Sequence, residues 1–223
     1  MSKTLRVAMI GYGFMGKVHS HAWRSVNHFF PDAPQVEMSV ICGRSKDALE
    51  AARVTFGWNE AETDWKKVIA RSDIDVIDIC TAGDTHEEIA IAALKAGKHV
   101  ICEKPFAANV ADADRMIEAS TAAGRTLAVN WPLAWYPPHI TTKRLIDEGT
   151  IGDVLEVHFY DGNRGPLRHL ADKIEVSEQE AADMKRASWW YAPARGGGSL
   201  LDYLGYGTTL GTWFLGGREP LTV

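Results

Sequence analysis

Five apolar runs, TLRVAMIG, VEMSVICG, IDVIDICT, KHVICEK and TLAVNW, recur through the N-terminal part of the 223-residue chain. Several are continuously hydrophobic rather than alternating, the pattern of strands covered on both faces. Helical patterns separate them, over Lys17 to about Asn27, Lys46 to Phe56, Asp64 to Arg71, His86 to Ala96 and Ala111 to Ala123. Gly97 and Gly124 stand where the last two helices need a left-handed cap. Parallel strands need long crossovers, and helices usually supply them, so this alternation predicts a doubly wound α/β domain over residues 1–129.

The first run ends in GYGFMG, which places Gly11, Gly13 and Gly16 between the first predicted strand and its helix. Gly11 permits a tight turn, Gly13 lets a pyrophosphate approach the backbone, and Gly16 lets helix and strand pack closely. Phe14 and Met15 sit between them, at a helix N-terminus whose partial positive charge favours phosphate. A strand-to-helix turn without a ligand uses the same glycines, but the order of elements favours a dinucleotide site in a Rossmann domain. The second run ends ICGRSK. Gly43 occupies the place of the acid that reads ribose hydroxyls in NAD sites, and Arg44 and Ser45 follow, chemistry suited to a 2′-phosphate. Arg44 as a solvated side chain at a helix start is the alternative. NADP is the expected cofactor, with NAD as the second choice.

A formal charge of -5, with 46% hydrophobic and 24% charged residues, describes a globular protein and gives no reason to expect nucleic acid or an anionic membrane as partner. The N-terminal apolar run is too short for a membrane span and lacks a signal cleavage pattern, so a cytoplasmic location is expected. Cys42, Cys80 and Cys102 are odd in number and lie in or beside apolar runs, which predicts buried thiols rather than disulfides; no metal spacing is visible.

The fourth run finishes in ICEKPF, putting Glu103 and Lys104 at the carboxyl edge of the predicted sheet, where open α/β folds bind ligands. A surface lysine is the commonest fate of this residue. Directly after a buried run, however, it aims an ammonium at the cofactor cleft, where it donates to a substrate hydroxyl and eases ionisation of a neighbouring base. Thr81, expected at the cofactor, and His86, both in TAGDTH, follow the third run. His86 is either a solvated ring at a helix start or a cofactor contact. Asn130, at the end of the fifth run, is expected on the nicotinamide side.

Beyond this the texture changes: NWPLAWYPP, a helical TTKRLIDEG, a strand-like VLEVHFYDG, a polar stretch with a helical VSEQEAADMKR, then WWY and a triple glycine. Residues 130–223 read as the start of an incomplete α+β domain with a mostly antiparallel sheet. The final helix contains Gly205, Gly207 and Gly211 around Tyr206, each glycine costing about 1 kcal/mol relative to alanine. A ligand lying against that backbone is the expected explanation, with tight packing around a core tyrosine as the alternative.

GYGFMG, HEEIAIAALKAGKHVICEKP and GGGSLLDYLGYG, at these intervals, resemble the Gfo/Idh/MocA family of glucose-fructose oxidoreductase and inositol dehydrogenase, over essentially the whole chain. The resemblance implies NAD(P)-dependent hydride transfer between nicotinamide and a sugar, polyol or related carbohydrate. By this resemblance Lys104 matches the EKP lysine that polarises the reacting oxygen, and Asp202 matches the acid of the GGGSLLD segment. Tyr206 stands where the family commonly carries an acid/base histidine. Similarity to members with tyrosine here implies that Tyr206 is the general base, with Lys104 holding the oxygen and Asp202 positioning the sugar. Asp202 and Tyr206, four apart, share a helix face. The resemblance is weaker at Ala82 and Gly83, which replace a Pro-Asn pair, and at Thr209, which replaces a later aspartate.

Trp131, Trp190 and Arg164 are expected to meet the carbohydrate through flat apolar faces and a charged donor. Family members continue for about another domain's worth of sheet. The chain is therefore expected to be a fragment, or to be completed by another chain, with the second-domain sheet making homo-oligomer contacts. The rival reading is a non-catalytic NAD(P)- or sugar-binding regulator of the same fold, which loss of the histidine favours and retention of Lys104 and Asp202 disfavours.

Overall fold

The computed structural model describes residues 4–160, 177–192, 195, 198 and 203–219. The backbone divides into two units, Met1–Asn130 and Trp131–Val223.

In the first unit, strands β1 (Leu5–Ile10), β2 (Val36–Cys42), β3 (Glu60–Glu62), β4 (Val76–Ile79), β5 (His99–Glu103) and β6 (Leu127–Asn130) form one parallel sheet in the order β3-β2-β1-β4-β5-β6. The five predicted strands are all present. β3 is additional: it is three residues long and polar, so no apolar run announces it, and only its pairing with β2 makes it a strand.

The crossovers are α1 (Phe14–Phe29), α2 (Lys46–Phe56), α3 (Trp65–Ala70), α4 (His86–Lys95) and α5 (Val110–Ala123). Local chemistry sets their ends. Asp64 and Asn109 accept backbone N–H bonds from Lys66 and Asp112 at the starts of α3 and α5, and Gly124 ends α5 in the left-handed region at φ 58°.

Strand residues alternate between two cores. Val7 and Met9 pack with Ile41 and Leu49 on one face, while Ala8 and Ile10 pack with Ile77, Ile79 and Val100 on the other. Because each buried aliphatic side chain contributes about 1.5–3 kcal/mol relative to exposure, a sheet covered twice selects unbroken apolar runs. Two carboxylates interrupt this rule: Asp78 in β4 is wholly buried and Glu103 at the end of β5 is 3% exposed. Buried charges demand partners.

The second unit carries a 3-10 turn at Pro132–Trp135, α6 (Pro137–Asp147), α7 (Glu178–Ala187), a 3-10 turn at Trp189–Tyr191 and α8 (Gly205–Phe214). α6 begins ahead of the expected TTKRLIDEG because Pro137 and Pro138 are tolerated in a first helical turn, where the missing N–H is not needed. The strand expected at VLEVHFYDG is not formed over its described residues: residues 154–160 have no regular structure, and among the described residues the second unit contains no strand. The expected antiparallel sheet is therefore not observed there. An apolar run becomes a strand only when a neighbour takes its backbone hydrogen bonds, and no described segment does so. Among the described residues, no helix is long and apolar enough to cross a membrane.

Candidate functional site

The glycines of the first turn answer to different constraints. Gly11 has φ +106°, and a Cβ there would lie 2.6 Å from the Cys80 carbonyl oxygen; at Gly16 it would lie 2.3 Å from the carbonyl oxygen of Gly11. Both are required by backbone packing. A Cβ on exposed Gly13 would meet nothing within 4 Å. Gly13 is also the N-cap of α1, and no side chain caps the helix. Phe14 is 75% exposed and Met15 half-buried. The turn thus presents uncapped helix N–H groups along a bare approach, a form that fits a dinucleotide pyrophosphate.

At the tip of β2 the backbone passes directly beneath Tyr12. A Cβ on Gly43 would lie 2.1 Å from Tyr12 Cε1, so no acidic side chain fits at that position while the ring stays. Arg44 and Ser45 follow, both exposed.

Lys104 is half-buried in the turn after β5, and the Lys104–Pro105 bond is cis. Hydrogen bonds grip this turn from both ends. The backbone N–H of Lys104 donates to Glu103 Oε2 at 3.1 Å. On the other side, His86 Nδ1 lies 3.0 Å from the Pro105 carbonyl while Nε2 lies 3.1 Å from the Thr81 carbonyl. His86 is wholly buried, so neither a solvated ring nor direct contact with a cofactor describes it. It ties the end of β4 to the lysine-bearing turn. Thr81, half-buried, accepts from the Thr85 hydroxyl at 2.6 Å.

Glu103 also faces inward. Its Oε1 accepts from His19 Nε2 at 2.9 Å and from the Asn130 amide at 2.5 Å. The other ring nitrogen of His19, Nδ1, is 3.0 Å from both carboxylate oxygens of Asp78, which also accepts from the Trp23 indole at 2.6 Å. The side chains of Glu103 and Asn130, expected at the cofactor, are thus engaged with one another and with His19. Burial opposes charge on His19, but the hydrogen bonds to Asp78 and Glu103 and the attraction of both carboxylates outweigh it, raising the pKa to about 10. Burial likewise opposes the Glu103 carboxylate, yet His19, Asn130 and Lys104 hold it below its ordinary value.

Sequence reasoning missed His19, Trp23 and Asp78. The signal was available: Asp78 interrupts a buried strand, and His19 and Trp23 lie four apart on one helix face. Cys80, with His19 and Asp78, offers ligand atoms within 4.8 Å of one another. Both ring nitrogens already face carboxylates, however, and the Cys80 thiol donates to Asp78 at 3.6 Å, so the group is satisfied as a hydrogen-bonded ion network. Burial pushes the Cys80 and Cys102 thiols up, and burial with the nearby Glu62 and Asp64 pushes Cys42 up to about 12. None is a ready nucleophile.

The fold therefore gathers Gly11 to Gly16, Arg44, Ser45, Thr81, His86, Glu103, Lys104 and Asn130 at the carboxyl edge of one sheet. In the second unit, Tyr206 packs with Trp131 at a ring-centroid distance of 5.3 Å and with Tyr203 at 6.3 Å. The neighbouring glycines make room for the protein's own rings. A Cβ on Gly205 would lie 3.0 Å from the Trp131 ring, and one on Gly207 would lie 2.7 Å from Phe159. Trp131 Nε1 is buried without a hydrogen-bond partner. Trp131 and Thr209 also line an open cleft of about 720 Å³ in this unit, together with Lys143 and Trp213. Asp202, Arg164 and the side chain of Trp190 lie outside the described residues.

Comparison with known proteins gives this geometry its context. Residues 5–131 match a family model described as GFO_IDH_MocA, oxidoreductase family, NAD-binding Rossmann fold, and residues 139–223 match the GFO/IDH/MocA C-terminal domain. The levoglucosan dehydrogenase of Pseudarthrobacter phenanthrenivorans is 39% identical over 180 residues, 78% of this chain and 46% of that protein. The myo-inositol 2-dehydrogenase of Thermotoga maritima is 31% identical over 182 residues, 81% of this chain and 51% of that protein. Among solved structures, an oxidoreductase domain protein from Kribbella flavida superposes with a TM-score of 0.81 at 37% identity, covering 97% of this chain and 55% of that one. A levoglucosan dehydrogenase in complex with NADH and levoglucosan gives 0.78 at 30%, covering 96% and 55%. The chain spans about half the length of the curated relatives it matches. With both family models matched in order, and with the glycine turn and the lysine-bearing strand tip at one sheet edge, the chain belongs to the Gfo/Idh/MocA family of oxidoreductases.

Proposed function

We propose that this chain belongs to an enzyme that passes hydride between a nicotinamide, NADP in preference to NAD, and a sugar, polyol or related carbohydrate. The observation that carries the reading is the meeting, at one edge of one sheet, of an uncapped glycine turn and a half-buried lysine whose turn is held at both ends. The preference for NADP is supported by Tyr12 lying over Gly43, which leaves no room for a ribose-reading acid, and by exposed Arg44 next to it, a bidentate donor suited to phosphate. The names of the relatives, levoglucosan and inositol dehydrogenases, support a carbohydrate-like substrate.

The bound nicotinamide supplies the hydride acceptor or donor. The remaining roles fall to the chain. Lys104 donates to the substrate oxygen and offsets negative charge developing there; Tyr206 takes the hydroxyl proton; Asp202 orients the sugar. Trp131, Trp190 and Arg164 extend carbohydrate contact. The exposed Trp135, Tyr136, Ile140, Leu155 and Tyr160 support self-association through the second unit, and three free thiols suit a reducing cytosol.

The test follows reduced-nicotinamide absorbance with NADP or NAD and a panel of sugars and polyols. Lys104→Ala is expected to lower turnover about 10³-fold, within the range for losing a positioned proton-transfer group, while leaving cofactor affinity within about twofold. Undiminished turnover in that variant refutes the role of the lysine. Arg44→Ala is expected to erase the preference for NADP, and equal preference in both proteins ends that assignment. Binding of cofactor and sugar with no absorbance change identifies a sensor instead.

A further inference from the structure

The helix that presents its N-terminus at the glycine turn also reaches the lysine-bearing turn. His19 stands on the second turn of α1, and Trp23 follows one turn later on the same face. Opposite them, Asp78 in β4 and Glu103 in β5 sit on the sheet face shared with Val76 and Ile101. His19 spans the two carboxylates, with Nδ1 at 3.0 Å from Asp78 and Nε2 at 2.9 Å from Glu103. Glu103 then uses its second oxygen to accept the Lys104 backbone N–H at 3.1 Å. An unbroken run of polar contacts therefore leads from α1 to the peptide that carries the ammonium.

A fold does not need such a group. Burying two carboxylates and an imidazole forfeits hydration, and a well-packed apolar set of similar volume commonly serves stability as well or better. Here the charged set lies where the end of β5 meets both the glycine-turn helix, through His19, and Lys104. Each member is satisfied: the Trp23 indole and the Cys80 thiol donate to Asp78, and the Asn130 amide donates to Glu103. Such a fully partnered network defines one geometry.

We propose that His19 is a positioning residue for Lys104: by clamping Glu103 between Asp78 and the lysine-bearing turn, it fixes the direction from which the ammonium meets its ligand, and it couples that direction to α1. The proposal rests on the reading of Lys104 given above. The groups facing His19 are Asp78 and Cys80 at the end of β4, Glu103 at the end of β5 and Asn130 of β6; Trp23 of α1 donates to the same Asp78, and Lys104 acts on Glu103. Their balance keeps the imidazole cationic through neutral pH, with a pKa of about 10.

The experiment uses the full chain with His19→Gln and Asp78→Asn. Lysines are ¹³C-dimethylated, the Lys104 resonance is assigned by its loss in Lys104→Ala, and its titration is followed by NMR alongside NADPH affinity and turnover. In the folded variants the Lys104 titration is expected to be displaced from that of the wild type, because the ammonium and the Glu103 carboxylate attract one another. Turnover is expected to fall by about 10²-fold, the scale of a misplaced catalytic group, with NADPH affinity within about threefold. Folded variants in which Lys104 titrates as in the wild type overturn the proposal, whether or not NADPH affinity falls, because His19 then serves the fold or the glycine turn alone. If His19→Gln does not fold, Asp78→Asn decides by the same readings. Absence of turnover in the wild type with every sugar removes the proposed reaction, while the Lys104 titration still decides the positioning.

Discussion

Gly13 and Gly16 share one turn but answer to different demands. A methyl group at Gly16 runs into the carbonyl of Gly11, whereas one at Gly13 enters open space beside an uncapped helix terminus. Gly16→Ala is therefore expected to lower stability by about 1–3 kcal/mol in urea unfolding, the range for overpacking. Gly13→Ala is expected to leave stability within about 0.5 kcal/mol and to weaken dinucleotide binding about tenfold, measured by fluorescence titration. Equal stability losses at both positions would show that the turn is shaped for packing alone. In the glycine turn, strand–helix order made these roles legible from the residues themselves. At Gly205 and Gly207 the same reasoning favoured a ligand over packing, because spacing does not identify the neighbour; instead the rings of Trp131 and Phe159 lie against them.

Among the elements, α1, β4 and β5 are joined by a buried ion network rather than by hydrocarbon alone, and this makes their docking depend on pH. The folded pKa of His19 lies above the ordinary value of 6.5. Its contribution to stability is thus fully present below that ordinary value and is lost as pH rises to about 10, where the folded imidazolium gives up its proton. Glu103 works in the opposite sense: its lowered pKa stabilises the fold above the ordinary carboxylate range, and that contribution is lost on acidification. His19→Gln is expected to cost about 3 kcal/mol near neutral pH, as breaking a buried pair does, and to flatten the alkaline decline seen in the wild type. Unfolding midpoints measured across the alkaline range check this; parallel declines in both proteins would assign the effect to other groups. The helices and strands of this region were legible because each has its own periodicity. The network was not, since His19, Asp78 and Glu103 are far apart in sequence and meet only across the sheet.

At the scale of the whole molecule, the two units differ in what holds them. Among the described residues, all the buried apolar side chains except Leu210 belong to the first unit. Native-state hydrogen exchange is therefore expected to be slowest at the central strands β1, β4 and β5 and at least about a hundredfold faster across α8, since protection follows local burial. Addition of NADPH at about 100 times its dissociation constant is expected to raise the stability of the first unit by about 2.7 kcal/mol. Comparable protection in α8 and β4 would mean that the units unfold together.

The sequence by itself determined the doubly wound sheet, its crossover helices, the glycine turn at the end of β1 and the lysine at the end of β5, because each is written in contiguous residues through periodicity, capping and turn chemistry. Tertiary structure alone decided that β3 is a strand and that VLEVHFYDG, through Tyr160, is not, that Tyr12 covers Gly43, and that His86, Glu103 and Asn130 brace the site from within. Those outcomes depend on which distant groups accept a hydrogen bond or occupy a volume, and a linear pattern carries no record of neighbours that only the folded chain brings together.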